Sequence, residues 1–145
     1  MNVEVITSRF GRIEVPEERI FTFPRGLIGL EHLKRYARLD SQKGPAVQWL
    51  QAVDDPETAF LVSDPTTYLP SFELKIPEAD GSTALREGPD PKRLETLTIL
   101  SLDRAARCLH IHVQAPLLLD PLTRKGVQVI TDAEPPTVTI PLKSP

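Results

Sequence analysis

The sequence has a single cysteine, Cys108, among its 145 residues. A disulfide within the chain needs two cysteines, so we expect a fold without such a crosslink in a reducing compartment. No run of eighteen apolar residues occurs, and Met1 to Phe10 carries no basic start followed by an apolar stretch. Neither membrane spanning nor secretion is therefore predicted, and we expect a cytoplasmic location.

Glycine is scarce, with 7 residues, whereas proline is abundant, with 15. Proline is excluded from helix interiors and central strands, so this abundance predicts many short elements separated by turns. Charged residues make up 26% and hydrophobic residues 40%, which is typical of a globular protein. The length is that of one domain. We predict one domain over residues 1–142 and a tail over residues 143–145.

Short segments of alternating apolar and polar residues dominate the chain and predict β-strands. We place them at residues 2–7, 12–15, 20–23, 47–53, 59–62, 72–76, 94–102, 108–113, 116–119 and 127–130, with an edge strand at 138–140. Leu30, Leu33 and Tyr36 have helical spacing, and a second short helix is expected around Ala84 to Arg86. The predicted fold is all-β and mainly antiparallel: a small β-barrel-like domain with one or two short helices.

Charge is unevenly distributed although the net charge is only -3. Residues 51–80 contain seven acids against one base, Lys75, and residues 81–125 contain five acids against seven bases. The acids of the first segment are Asp54, Asp55, Glu57, Asp64, Glu73, Glu78 and Asp80. A nucleic-acid-binding protein usually concentrates basic residues on one face, so direct nucleic-acid binding is disfavoured.

Two histidines are the best candidates for a metal site. His110 and His112 project from the same face of one predicted strand, because side chains alternate along a strand. The third histidine, His32, is distant in sequence, and no carboxylate is identified that would complete the site. A solvated strand face is therefore favoured, and no metal or other cofactor is predicted.

Evidence for catalysis is weak elsewhere. Cys108 could be a nucleophile, but no base is evident, so a buried structural cysteine is favoured. Asp54, Asp55 and Glu57 lack the ligand spacing of a calcium loop, and they suit a solvated turn better. No hydrolase, metalloprotease or redox motif is present. We predict that the protein is not an enzyme.

The acidic segment also carries apolar residues that could contact a partner. Phe60, Tyr68, Leu69 and Phe72 lie among the acids, an arrangement that suits docking of a basic protein surface. The alternative is that these apolar residues belong to the core and that the acids are merely solvated. The residues alone leave both interpretations open.

Five short segments occur in a characteristic order. They are Phe23-Pro24-Arg25-Gly26-Leu27-Ile28-Gly29-Leu30-Glu31, Gln48-Trp49-Leu50-Gln51 with Ala59-Phe60, Asp64-Pro65 with Tyr68 and Phe72-Glu73, Ala115-Pro116-Leu117, and Thr123-Arg124 followed by Gly126 and Gln128-Val129-Ile130. Over residues 1–142 the chain resembles the flagellar assembly factor FliW family, whose first signature is F-x-x-G-L-P-G-F-E. Departures from its pattern are Ile28 for Pro, Leu30 for an aromatic residue, and His112 and Asp120 for Asn.

The resemblance implies a small cytoplasmic β-barrel that binds flagellin and, when free of it, binds the translational regulator CsrA and relieves repression of flagellin synthesis. No direct nucleic-acid or membrane partner is implied, and we expect a monomer. Carried over to this chain, the CsrA-binding residues are predicted to be Glu57, Tyr68, Leu69, Phe72 and Glu73. Two alternatives remain: a metal-dependent or other enzyme using His110 and His112, and a nucleic-acid-binding barrel of the OB type.

Overall fold

The computed structural model describes residues 1–42, 44–75 and 89–142, and these residues contain ten β-strands. They are β1 (Asn2–Thr7), β2 (Gly11–Pro16), β3 (Ile20–Thr22), β4 (Arg35–Ser41), β5 (Gly44–Ala52), β6 (Ala59–Ser63), β7 (Glu95–Asp103), β8 (Cys108–Asp120), β9 (Lys125–Gln128) and β10 (Val138–Pro141). Among the residues that the structure describes, three single 3₁₀ turns lie between strands, at Glu17–Arg19, Pro65–Thr67 and Pro91–Arg93. Within the described residues no α-helix is present.

Strands β3 to β9 close into a seven-stranded barrel. The order around the barrel is β8, β7, β6, β5, β4, β3 and β9, and β9 then pairs back with β8. Every pairing is antiparallel except the parallel contact of β3 with β9. The predicted all-β, mainly antiparallel barrel is therefore confirmed. Closure also removes the exposed strand edges that an open sheet would present.

The sequence predicts two separate strands at residues 108–113 and 116–119, but β8 is continuous over 13 residues. Its first half pairs with β10 and its second half with β9, while β7 lies along its other side. Ile99 is paired with His112 and Leu97 with Leu117, so residues 113–116 form a bulge opposite Thr98. Pro116 lies in this bulge, where a missing N–H interrupts no regular ladder.

Apolar side chains form two large clusters on opposite faces of the barrel wall. The barrel interior contains Phe21, Phe23, Leu27, Leu33, Tyr36, Leu50, Ala52, Val62, Leu97, Leu117 and Leu119. The outer cluster contains Val47, Leu100, Leu109, Ile111 and Val113. Strand alternation explains the division: Leu50 faces inward on β5, whereas Val47 faces outward. The β1–β2 hairpin covers a third cluster around Val5, Val15, Ile20 and Ala37.

The helix predicted from Leu30, Leu33 and Tyr36 is wrong, because β4 begins at Arg35. Consecutive turns produce the same spacing: the Leu30 N–H donates to Leu27 O at 2.8 Å, and the Leu33 N–H donates to Leu30 O at 3.0 Å. Each turn advances the chain by three residues and returns an apolar side chain to the barrel interior. The sequence therefore showed helical spacing where the chain makes turns.

Glycine is required at the start of this loop. Gly26 has a φ of +66°, and a Cβ there would lie 2.6 Å from the Glu31 Cα atom. Both the left-handed backbone and the close approach exclude a side chain.

The strand predicted at residues 72–76 is also wrong, because residues 72–75 form no strand. Phe72 packs on the outer cluster, and Leu74 packs on a neighbouring cluster around Leu118. An extended segment whose apolar side chains contact two clusters shows the same alternation of apolar and polar residues as a strand, although it is not part of a sheet. Ile76 and the helix expected around Ala84 to Arg86 lie outside the described residues.

A buried carboxylate holds the end of β8 in place. Asp120 is fully buried, and it accepts hydrogen bonds from Arg93 Nε at 3.1 Å and Arg93 Nη2 at 2.8 Å. The backbone N–H groups of Asp90 and Leu122 donate to it at 3.2 and 2.9 Å. The Arg93 guanidinium is the main reason that the pKa of Asp120 lies well below its usual range.

We predict that Gly126→Ala destabilises the barrel. A Cβ at Gly126 would lie 2.6 Å from Phe23 Cε2 and 2.8 Å from Leu119 Cδ2, and both side chains are fully buried. Overpacking of this kind costs about 1–3 kcal/mol, measured as the free energy of unfolding in urea. Lys125→Ala on the same strand is the control and should change it by less than about 0.5 kcal/mol. Equal stability of the two variants would contradict the prediction.

We predict that Asp120→Asn lowers Tm at neutral pH and weakens the acid dependence of stability. The pKa of Asp120 is depressed in the folded state, so its stabilising contribution is complete above its unfolded pKa of about 3.9 and is lost as the pH falls below that value. The amide cannot titrate, and its NH₂ group would replace an oxygen that accepts from Arg93. Thermal unfolding at neutral and acid pH measures both effects.

The control for this substitution is Asp132→Asn, at an exposed aspartate, which should keep the wild-type Tm. An Asp120→Asn protein with the wild-type acid profile would show that the buried carboxylate contributes nothing.

Candidate functional site

The residues predicted to bind a partner after β6 lie on a segment of tight turns. Asp64 caps the turn at Pro65–Thr67 by accepting a hydrogen bond from the Thr66 N–H at 2.9 Å. The Leu69 N–H then donates to Pro65 O at 2.9 Å, and the Phe72 N–H donates to Leu69 O at 2.9 Å. These turns place Tyr68, Leu69 and Phe72 against the outer cluster, where each is partly buried.

An apolar cavity of about 340 Å³ lies beneath this segment. It is lined by Val47, Leu61, Tyr68, Leu100, Leu102, Leu109, Ile140, Pro141 and Leu142. The cavity lies between the turn segment on one side and β10 on the other. Tyr68 is therefore both part of the outer cluster and a wall of the cavity, which makes it a structural as well as a surface residue.

Glu57 lies in the loop between β5 and β6, which a buried glutamine organises. Gln51 is fully buried, and its Nε2 donates to Asp55 O at 3.1 Å and to Thr58 O at 3.2 Å. Asp55 accepts hydrogen bonds from the Thr58 hydroxyl at 2.7 Å and the Glu57 N–H at 3.0 Å. Those bonds, that of Thr58 first, hold the pKa of Asp55 below its usual value. The Glu57 side chain remains exposed.

The five predicted partner-binding residues form two groups. Tyr68, Leu69, Phe72 and Glu73 follow the end of β6, whereas Glu57 precedes its start. The five residues of β6 lie between the two groups, and the strand itself spans roughly 15 Å because it rises about 3.3 Å per residue. Glu57 and Glu73 are exposed, so both carboxylates are accessible to a partner.

Other residues of the acidic segment serve the fold. Phe60 packs against the barrel interior, with its ring centroid 6.4 Å from that of Tyr36. Asp54 forms an ion pair with Arg35 at 3.2 Å. Phe60 is therefore a core residue. Arg35 on β4 partly neutralises the excess of acids.

The two histidines predicted to share a strand face make different contacts. His112 Nε2 lies 2.7 Å from Ser101 Oγ, whereas His110 Nδ1 lies 2.9 Å from Thr139 Oγ1. Burial, with a smaller contribution from neighbouring His110, lowers the pKa of His112. Burial thus favours the neutral form of His112, whose ring contacts the hydroxyl groups of Ser101 and Thr137.

The structure brings a different set of potential ligands together. Atoms of Asp103, Cys108 and His110 all lie within 4.8 Å of one another, and His112 is not in the group. Asp103 was missed in the sequence because hairpin pairing, not spacing, brings it opposite Cys108. The sequence does contain a signal for Asp103. The charged turn that follows it predicts a hairpin, and a short hairpin places the end of one strand beside the start of the next. The three atoms could hold one cation.

Within the part of the chain that the structure describes, no helix has the length and apolar character required to cross a bilayer.

Comparison with known proteins gives one consistent result. The model of the FliW protein family matches residues 4–142. The flagellar assembly factor FliW of Moorella thermoacetica is 32% identical over 131 residues, covering 90% of this chain and 82% of that protein. The same factor from Natranaerobius thermophilus is 29% identical over 144 residues, covering 97% and 92%.

A crystal structure of the flagellar assembly factor FliW superimposes with a TM-score of 0.79. It covers 98% of this chain and 99% of the other at 21% identity, so it supports the barrel fold. The family match spans nearly the whole length, the curated relatives share one name, and the resemblance inferred from the five sequence segments is confirmed. This chain belongs to the FliW family of flagellar assembly factors.

Proposed function

We propose that this protein is a partner switch in flagellar assembly: it binds flagellin and, when free of flagellin, binds and antagonises CsrA. The observation that carries the proposal is the family match over residues 4–142. In this scheme the free protein accumulates when flagellin has been exported. CsrA is then sequestered, its repression of flagellin translation is relieved, and new flagellin is made.

The CsrA-facing surface is proposed to include Glu57 and the segment from Tyr68 to Glu73. Both glutamates are exposed, and the partly buried Tyr68, Leu69 and Phe72 present apolar surface beside Glu73. A basic RNA-binding protein would be attracted to exposed acids at long range. Apolar contact would then stabilise the complex, as in interfaces with an apolar centre and a charged rim.

One interface is large enough to contain both groups. A standard protein interface buries about 800 Å² on each partner, which corresponds to a patch about 30 Å across. The two ends of β6 are only roughly 15 Å apart along the strand. We therefore place both groups in one interface with CsrA.

Calorimetric titration tests the switch. The purified protein is titrated with CsrA from the same genome, and the titration is repeated after flagellin has been bound. We expect CsrA binding to be lost when flagellin is present. If neither protein binds, the proposed function fails; if both bind together, the two partners do not compete and the switch is wrong.

We predict that Glu73→Lys and Glu57→Lys each weaken CsrA binding, with an increase in Kd of about 10-fold at low ionic strength when combined. The reason is that charge reversal replaces attraction with repulsion at the edge of the interface. Charge reversal is preferable to truncation of Tyr68 or Phe72, because those side chains also pack on the outer cluster. Kd and the association rate at two salt concentrations are the measurements.

Glu18→Lys is the matched control, since Glu18 is an exposed acid in the turn at Glu17–Arg19 and lies outside the proposed surface. It should leave Kd within error of the wild type. Equal Kd values for Glu73→Lys and Glu18→Lys at low salt would contradict this placement of the surface.

A further inference from the structure

The hairpin between β7 and β8 assembles three metal-binding side chains. Asp103 is the last residue of β7 and pairs directly with Cys108, the first residue of β8. His110 lies two positions further along β8 and therefore on the same face as Cys108. One potential ligand atom from each residue lies within 4.8 Å of the others, and all three side chains are partly exposed. A cation from solvent can reach them.

The spacing of two of these atoms suits one tetrahedral zinc ion. Cys108 Sγ and His110 Nε2 are 3.6 Å apart. With a Zn–S bond of about 2.3 Å, a Zn–N bond of about 2.1 Å and a tetrahedral angle of about 109°, sulfur and nitrogen lie about 3.6 Å apart. The two atoms can therefore bind one ion without a change in the backbone.

The histidine ring is already oriented for coordination. His110 Nδ1 lies 2.9 Å from Thr139 Oγ1 on β10. A hydrogen bond from Nδ1–H to that hydroxyl leaves the Nε2 lone pair directed towards Cys108 Sγ. Metal-bound histidines are commonly held in this way, with one ring nitrogen on the metal and the other on a hydrogen-bond acceptor.

The carboxylate is held close to the other two ligands. Asp103 Oδ1 accepts a hydrogen bond from the Ala106 N–H at 3.0 Å, which fixes the side chain over the hairpin turn. This bond uses only one of the two carboxylate oxygens. One carboxylate oxygen lies within 4.8 Å of the potential ligand atoms of Cys108 and His110, and binding of an ion would draw it to coordination distance.

We propose that Asp103, Cys108 and His110 form a binding site for Zn²⁺, with a water molecule as the fourth ligand. A set of sulfur, nitrogen and oxygen ligands favours zinc over magnesium and calcium, which prefer oxygen alone. Cys108 binds as the thiolate, and its proton is released to solvent. The ion would join the end of β7 to the start of β8 and, through Thr139, to β10. This site is separate from the proposed CsrA-facing surface.

The test uses the full chain without a histidine tag, stripped of metal. Zn²⁺ is titrated by calorimetry, and Co²⁺ is titrated by visible absorption, in which a thiolate ligand gives a charge-transfer band. We expect one ion per chain with a Kd of about 1 µM or below. Cys108→Ser should abolish the thiolate band, and His110→Ala and Asp103→Asn should both weaken binding.

His112→Ala is the matched control, because His112 lies on the same strand face but outside the three-ligand group. It should keep the wild-type Kd. Loss of binding in His112→Ala with normal binding in Asp103→Asn would assign the ion to the histidine pair and overturn the proposal. Association that is only millimolar, or that is unchanged in Cys108→Ser, would also overturn it.

Thr139→Val tests the orienting hydrogen bond. Valine keeps the shape of the exposed edge-strand side chain but cannot accept the hydrogen bond from His110. We expect Kd for Zn²⁺ to increase about 10-fold, as for other residues that orient a metal-bound histidine. Zinc should also raise Tm of the wild type but not of Cys108→Ser, which confirms that the folded state binds the ion.

Discussion

Pairing of β8 on both edges is the interaction on which the rest of the structure depends. β7 lies along one edge, while β9 and β10 divide the other edge between them. Pairing with β9 closes the barrel, and pairing with β10 extends the sheet beyond it. The bulge at residues 113–116 makes both pairings possible. Odd-numbered residues of β8 face one side of the sheet before the bulge and the opposite side after it. Leu109 and Ile111 therefore face the outer cluster, whereas Leu117 and Leu119 face the barrel interior.

Local alternation was enough to predict most of the strands, the hairpin of β1 with β2 and the edge strand β10. It failed where turns or extended chain, and not a helix or strand, produced the regular spacing of apolar side chains. Turns between Leu27 and Leu33 imitate a helix, and extended chain at Phe72 and Leu74 imitates a strand. The same spacing includes Tyr36 and so conceals the start of strand β4 at Arg35. Backbone hydrogen bonds distinguish these cases, and a single sequence does not contain them.

The acidic surface could be predicted only in part. A count of charges along residues 51–80 does not include Arg35, which pairs with Asp54 from another strand. It also does not show that Asp55 and Asp64 use their carboxylates to cap turns. Glu57 and Glu73 are exposed, as the sequence pattern indicates. Within the described residues 51–75, Asp54, Asp55 and Asp64 therefore take part in local contacts of the fold, whereas Glu57 and Glu73 lie exposed on either side of β6.

Strand β10 connects the two faces of the extended sheet. Thr139 contacts His110 on the polar face, and the next residue, Ile140, lines the apolar cavity on the opposite face. Only four residue pairs join β10 to β8, so side-chain contacts make up a large share of what holds this strand in place. His110 is therefore in contact with the strand that forms one wall of the cavity. The cavity and the histidine face therefore share one strand, whose successive side chains point to opposite faces of the sheet.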